Sequence, residues 1–155
     1  MIRTRSLIPL LALTLTLSGC GYNQIQTLDE QVNKAQGQIA AQLQRRADLI
    51  PNLVETVKGF AKQEDTIFIS VANARAKLAG SIQSGNVDSM AAANPALNAP
   101  LGRLLAISEN YPELKSDANF RALQDELTGT ENRIATSRQD YNEAVNQFNG
   151  YIRRF

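Results

Sequence analysis

Apolar residues recur at spacings of three and four along almost the whole chain. Ile25, Leu28, Val32, Ala35, Ile39 and Leu43 fall on one face of a helix. The same rule holds for Leu53, Val57, Phe60, Ile67, Val71, Ala74 and Leu78, with Glu64 standing in an apolar position between Phe60 and Ile67. A shorter run contains Leu97, Leu101, Leu104 and Ile107, and the last, from Phe120 through Leu127, Ile134, Tyr141, Phe148 and Ile152 to Phe155, is close to heptad register. No segment alternates with period two for long enough to make a strand. The pattern predicts an all-α protein.

Capping signals divide this pattern into four helices. Asp48 fits an N-cap for a helix with Pro51 in its first turn, where a missing N–H costs nothing. Gly85-Asn86 fits a helix stop, and Asn94-Pro95 fits a cap followed by proline at the first helical position. Tyr111-Pro112 breaks the third helix, and Ser116-Asp117 offers caps for the fourth. The predicted helices lie near Tyr22–Ala47, Leu49–Gln83 and Asp117–Arg154, with a short third helix of about 24 Å between the Asn94-Pro95 cap and the Tyr111-Pro112 break, and Ser84–Ala93 a loop or a weak short helix. Short connections make neighbours antiparallel, so the expected architecture is an up-and-down four-helix bundle with a long helical hairpin extending beyond the short third helix. One alternative stays open. A continuous helix kinked at Pro51 carries the apolar phase across through Arg46 and Ile50, although the capping chemistry favours a break.

The first twenty residues have a different composition. Arg3 and Arg5 precede an apolar run from Leu7 to Leu17, which ends in Leu17-Ser18-Gly19-Cys20. A spanning helix needs roughly twenty apolar residues, whereas a signal-peptide core needs about 7–15. The ending resembles the lipobox of bacterial lipoproteins. Residues 1–19 are therefore expected to be a signal peptide, with lipidation on Cys20 and residues 20–155 forming one domain. One acyl chain holds a membrane marginally and two or more hold it stably. Cys20 is the chain's single cysteine, so the fold has no disulfide. Gly21 rather than Asp follows it, which by resemblance to sorting rules favours the outer membrane, facing the periplasm, in a Gram-negative host.

Residues on either side of Pro51 carry a family resemblance. The stretch from Gln42 to Gly59, QLQRRADLIPNLVETVKG, resembles the hallmark of the LemA family. Supporting segments are Tyr22-Asn23, Ala72–Ala76, Glu109–Lys115, Phe120–Leu127, Glu131–Ala135 and Asp140–Val145. The resemblance implies a helical bundle tied to the bacterial envelope by its N-terminal segment, and it implies no established activity. Members commonly carry a transmembrane anchor where this chain has a lipobox. They also usually run on past a Phe-Pro that this sequence does not reach.

Charge and composition narrow the chemistry. Without Arg3 and Arg5 there are 14 basic residues (16 − 2) against 15 acidic ones, which leaves no electrostatic footprint for nucleic acid. The chain has no histidine, and its cysteine is committed to lipid. His-based triads and the Glu-x-x-His ligands of di-iron bundles are therefore ruled out. The acids Glu64, Asp65, Asp125, Glu126 and Glu131 read as solvated helix faces, so no metal, cofactor or catalytic residue is expected. Glu64, on the apolar stripe, calls for a cationic partner such as Arg75, Arg133 or, as the chosen pair, Arg138. Arg45, Arg46, Asp48 and Asn52 form a candidate interaction surface at one bundle tip, although arginines at a helix end and an aspartate at the next start also have a purely structural reading. The expected function is a lipid-anchored scaffold or interaction module for other envelope proteins, without catalytic activity. The alternative is a protein holding a lipid or peptide between its helices.

Overall fold

The structure, a computed structural model, describes residues 19–154, with the side chains of Gly19 and Cys20 outside what it describes. The signal peptide (residues 1–18 of the expected 1–19) and the lipidation of Cys20 lie outside the described residues. Those described are helical in nearly every position and include no strand. The fold is all-α.

Helix α1 runs unbroken over Gly19–Phe60. Leu28, Ala35, Ile39, Leu43, Ala47, Ile50, Leu53 and Val57 lie buried along its inner face, at the three- and four-residue spacing that the sequence shows. The expected break at Pro51 does not occur, and Asp48 caps nothing. Pro51 lies inside the helix. The chain turns ten residues later, at 61–64, after Ala61 N–H bonds the Val57 carbonyl at 2.9 Å.

Helix α2 (Asp65–Gln83) returns antiparallel to α1, ending at Gly85, whose φ of +66° is the left-handed conformation that glycine tolerates. Asn86 then caps α3 (Val87–Ala96), its Oδ1 accepting from Ser89 N–H at 2.9 Å. Much of the stretch expected as a loop or weak helix is thus well-formed helix. Asn94-Pro95 does not start a helix either, because both residues lie inside α3. Helix α4 (Asn98–Ala106) continues after Leu97, and a short 3₁₀ turn, Ile107–Glu109, leads to Tyr111. Pro112 starts the five-residue α5 (Pro112–Ser116). Helix α6 (Ala118–Ile152) is capped as expected by Asp117, whose Oδ1 accepts from Phe120 N–H at 2.8 Å.

Contacts between the helices give the topology. α1 runs up, α2 down, α3 with α4 up, and α6 down the full length of α1. Four helical layers meet only in the upper part of the molecule, around Leu43, Ile50, Leu53, Val57, Val71, Leu78, Met90, Leu97, Leu104, Phe120 and Ile134. Each such side chain contributes roughly 1.5–3 kcal/mol of burial free energy. Below Gln36, which donates to the Gly85 carbonyl at 2.7 Å, only α1 and the end of α6 continue. There Ile25, Val32, Ala144, Val145 and Phe148 are half-buried. The long pair that extends beyond the bundle is thus formed by the first and last helices, not by two sequence neighbours.

Among the described residues Glu64 has no cationic partner. It lies half-buried in the α1–α2 turn with φ −99° and ψ 38°, where its backbone carbonyl accepts from Ile67 and Phe68 N–H at 3.0 and 3.2 Å. The apolar phase that placed it between Phe60 and Ile67 is interrupted by this turn, so its carboxylate never enters the core. Arg138 is exposed on α6, and the proposed Glu64–Arg138 pair does not form.

Candidate functional site

Pro51 has no N–H, so the carbonyl four residues earlier, that of Ala47, loses its helical donor. Ala47 is fully buried, where an unpaired carbonyl costs about 1–3 kcal/mol. The missing donor comes from another helix: Arg75 Nε on α2 lies 2.8 Å from the Ala47 oxygen. This bond lets α1 pass through its proline and ties α2 to α1 at the same level.

Arg46, one residue earlier, points inward. It is 6% exposed, although it occupies a sequence position read as a surface. Its guanidinium reaches three helices at once. One Nη donates to the side-chain oxygen of Asn94 on α3, and the other to that of Asn98 at the start of α4 at 2.8 Å. Nη1 also lies 2.6 Å from Glu131 Oε2 on α6, a charge contact without hydrogen-bond alignment. Burial pulls the guanidinium below its ordinary pKa, and the negative charge of Glu131 acts in the opposite direction. Arg46 Nε and Gln42 Oε1, one helical turn apart, are buried without partners. Asn94 serves as a buried acceptor for Arg46, which explains why the Asn94-Pro95 pair is not a cap.

The other residues of the candidate surface divide differently. Arg45 is half-exposed and pairs with Glu126 of α6. Asp48 is exposed and accepts from Gln44 Nε2 at 2.8 Å. Asn52 is exposed, and its backbone carbonyl accepts from Thr56 Oγ1 at 2.9 Å. Arg45 and Arg46 thus turn toward α6 and the core, while Asp48 and Asn52 face outward. Glu126 and Glu131 each go to a different arginine, so these carboxylates hold helices together.

Clefts open at several levels of the molecule. A cleft of about 180 Å³ lies between Ile39, Leu43, Met90 and Ile134, with Asp88, Arg138 and Tyr141 at its rim. An open groove of about 460 Å³ runs along Pro51, Val54, Phe68 and Ile69 near the upper tip. A wider polar groove, about 730 Å³, follows the two-helix lower part past Gln24, Leu28, Asn142, Asn146 and Arg154.

Sequence reasoning gives Arg75 and Asn94 other roles, a partner for Glu64 and a helix cap, and does not single out Asn98 or the role of Glu131. Two signals point to them. A proline within an unbroken apolar phase implies an orphaned carbonyl four residues back. An arginine between Leu43 and Ile50 on the inner stripe implies buried acceptors.

The sequence profile of the LemA family matches residues 35–155. Magnetosome protein MamQ 2 and magnetosome protein MamQ 1, both of Paramagnetospirillum magneticum, are each 28% identical over 153 residues, covering 83% of this chain and 56% of their own length. A magnetosome protein MamQ of Magnetospirillum gryphiswaldense is 25% identical over 157 residues, covering 86% of this chain and 58% of its own. The chain thus spans little more than half the length of these relatives.

Proposed function

Because the chain belongs to the LemA family, we propose that it is a bacterial envelope lipoprotein, held at the membrane by lipid on Cys20, whose bundle is a scaffold for other envelope proteins. LemA membership and the magnetosome relatives support a membrane-associated protein. The lipobox-like Leu17-Ser18-Gly19-Cys20 supports lipid as the means of attachment.

The observation that carries the scaffold reading is the use made of the charged residues around Pro51. Arg45, Arg46, Arg75, Glu126 and Glu131 are taken up in joining α1 to α2, α3, α4 and α6. What remains for a partner is the outward face of Asp48 and Asn52, at a level where the four helical layers are fixed. A rigid head carried on a two-helix stalk suits the presentation of a surface. The alternative, a ligand held between helices, finds less support. The cleft between Ile39 and Ile134, about 180 Å³, is below the roughly 300–1,000 Å³ typical of small-molecule sites, and the grooves of about 460 and 730 Å³ that reach that size lie open to solvent rather than enclosed between helices.

Metabolic labelling with palmitate tests the anchor. Label is expected on the wild type and not on Cys20→Ala, and label that persists on Cys20→Ala contradicts the assignment. Crosslinking in native envelopes tests the scaffold: partner bands are expected that weaken in Asp48→Arg/Asn52→Arg, while a protein captured only as monomer contradicts it.

A further inference from the structure

The lower end of the stalk differs in composition from the rest of the surface. From Gly19 to Leu28 and from Ala144 to Arg154 there is no acidic residue. The first carboxylates up the stalk are Asp29 on α1, about 15 Å along the helix from Gly19, and Glu143 on α6. Among the described residues the charges of this end are Arg153 and Arg154, both exposed and in none of the ion pairs found there. Beside them stand two large apolar groups open to solvent, Tyr22 at 65% and Ile152 at 43% exposure. Antiparallel pairing brings the start of α1 and the end of α6 to one level, since Gln24 and Leu28 of α1 line the same groove as Tyr151 and Arg154, with Glu143 further up that groove.

An exposed tyrosine, an exposed isoleucine and two unpaired arginines, with no acid among them, match the chemistry of a bilayer interface. Aromatic rings sit at headgroup depth, and basic side chains are drawn to anionic lipid. A protein partner would be expected to meet acids and bases interspersed, as they are on the head. We propose that the stalk end docks on phospholipid headgroups, with Tyr22 and Ile152 entering the interface and Arg153 and Arg154 meeting lipid phosphates. This rests on the reading that the Cys20 end faces a membrane, and it adds an orientation: the stalk stands on its basic end rather than swinging on a lipid tether. Attachment then has two elements, acyl chains and a basic surface, and the second depends on lipid charge and salt.

The chain contains no tryptophan, so Tyr22→Trp gives a single reporter. The full chain, purified with its native anchor, is placed in vesicles of phosphatidylcholine alone or mixed with phosphatidylglycerol, each made with brominated acyl chains as quenchers. Strong quenching is expected in the anionic vesicles and weak quenching in the neutral ones, with an Ile69→Trp reporter at the upper tip unquenched in both. Arg153→Ala/Arg154→Ala should lower the docked-to-undocked ratio by about 30-fold, roughly fivefold for each arginine. Circular dichroism should stay unchanged, because neither side chain has a partner to lose. Equal quenching in both lipids, or no effect of the double substitution, overturns the proposal even if palmitate labels Cys20. Missing palmitate label with charge-dependent quenching retained overturns the lipid anchor and leaves the docking intact. A blue shift that depends on protein concentration and ignores bromolipid assigns Tyr22 to a second copy, and overturns the docking.

Discussion

The upper and lower parts of this molecule are made by the same two long helices, yet they are stabilised differently. In the head, α1 and α6 are joined by α2, α3 and α4, and side chains such as Leu53, Leu78, Leu104 and Ile134 are at most 2% exposed. In the stalk the two helices have only each other, and Ile25, Val32, Val145 and Phe148 stay half in water. A two-helix pair encloses little of its seam, Leu28 at 6% exposure being the exception between Ile25 and Val32. Helical periodicity continues unchanged through both parts, so periodicity does not measure how firmly a segment is held. The number of layers does.

The largest expected effect separates the two parts by packing. Leu53→Ala in the head should cost about 3–5 kcal/mol in chemical denaturation, because a fully enclosed site collapses little. Leu28→Ala, in the stalk, should cost less than half as much, since water and neighbouring side chains fill the gap. Equal losses would place the stalk in the same cooperative unit as the head.

Next comes the buried arginine. Arg46→Ala removes two hydrogen bonds and a charge contact, leaving Asn94 and Asn98 without their donor. Breaking a buried pair costs about 3–5 kcal/mol, and because Glu131 is partly exposed the lower figure, about 3 kcal/mol, is expected. Glu131→Gln should cost clearly less, since Arg46 keeps its Asn94 and Asn98 acceptors and loses only the charge of a partly exposed carboxylate.

A smaller effect tests the proline bypass. Arg75→Ala should cost about 1–2 kcal/mol by orphaning the Ala47 carbonyl. In a Pro51→Ala background that carbonyl regains its own helical donor, so the same substitution should cost much less. The double-mutant cycle measures the difference. Additive losses would mean that Arg75 acts through packing alone. Smallest of all, Arg45→Ala should change stability by under about 1 kcal/mol, and less at high salt, because the Arg45–Glu126 pair is half-exposed.

Much of this fold was legible in the residues. The apolar stripes of α1 and α6, the stop at Gly85, the break before Pro112 and the Asp117 cap are local features, and each operates as its chemistry suggests. The capping chemistry around Pro51 favours a break, and the continuous alternative is the one that forms, because what rescues it is not local: the Ala47 carbonyl takes its donor from Arg75, 28 residues away in the chain. Asn94-Pro95 misled for the same reason, since the Asn94 side chain is held by Arg46, 48 residues away. Glu64 was placed by a phase that the turn at 61–64 cuts. For the candidate site, the segment from Arg45 to Asn52 holds both inward-facing and outward-facing polar residues. Which of its side chains face inward depends on helices that the segment itself does not encode.

Amide hydrogen exchange along the single helix α1 tests the division between head and stalk most directly. Amides from Leu43 to Val57 should exchange only through global unfolding, while those from Gln24 to Val32 should exchange about a hundredfold faster or more through local opening of the stalk. The step in protection should fall near Gln36, where α2 and α3 first meet the long pair. Uniform protection from Gln24 to Val57 would contradict it, and would mean that α1 is held equally along its whole length.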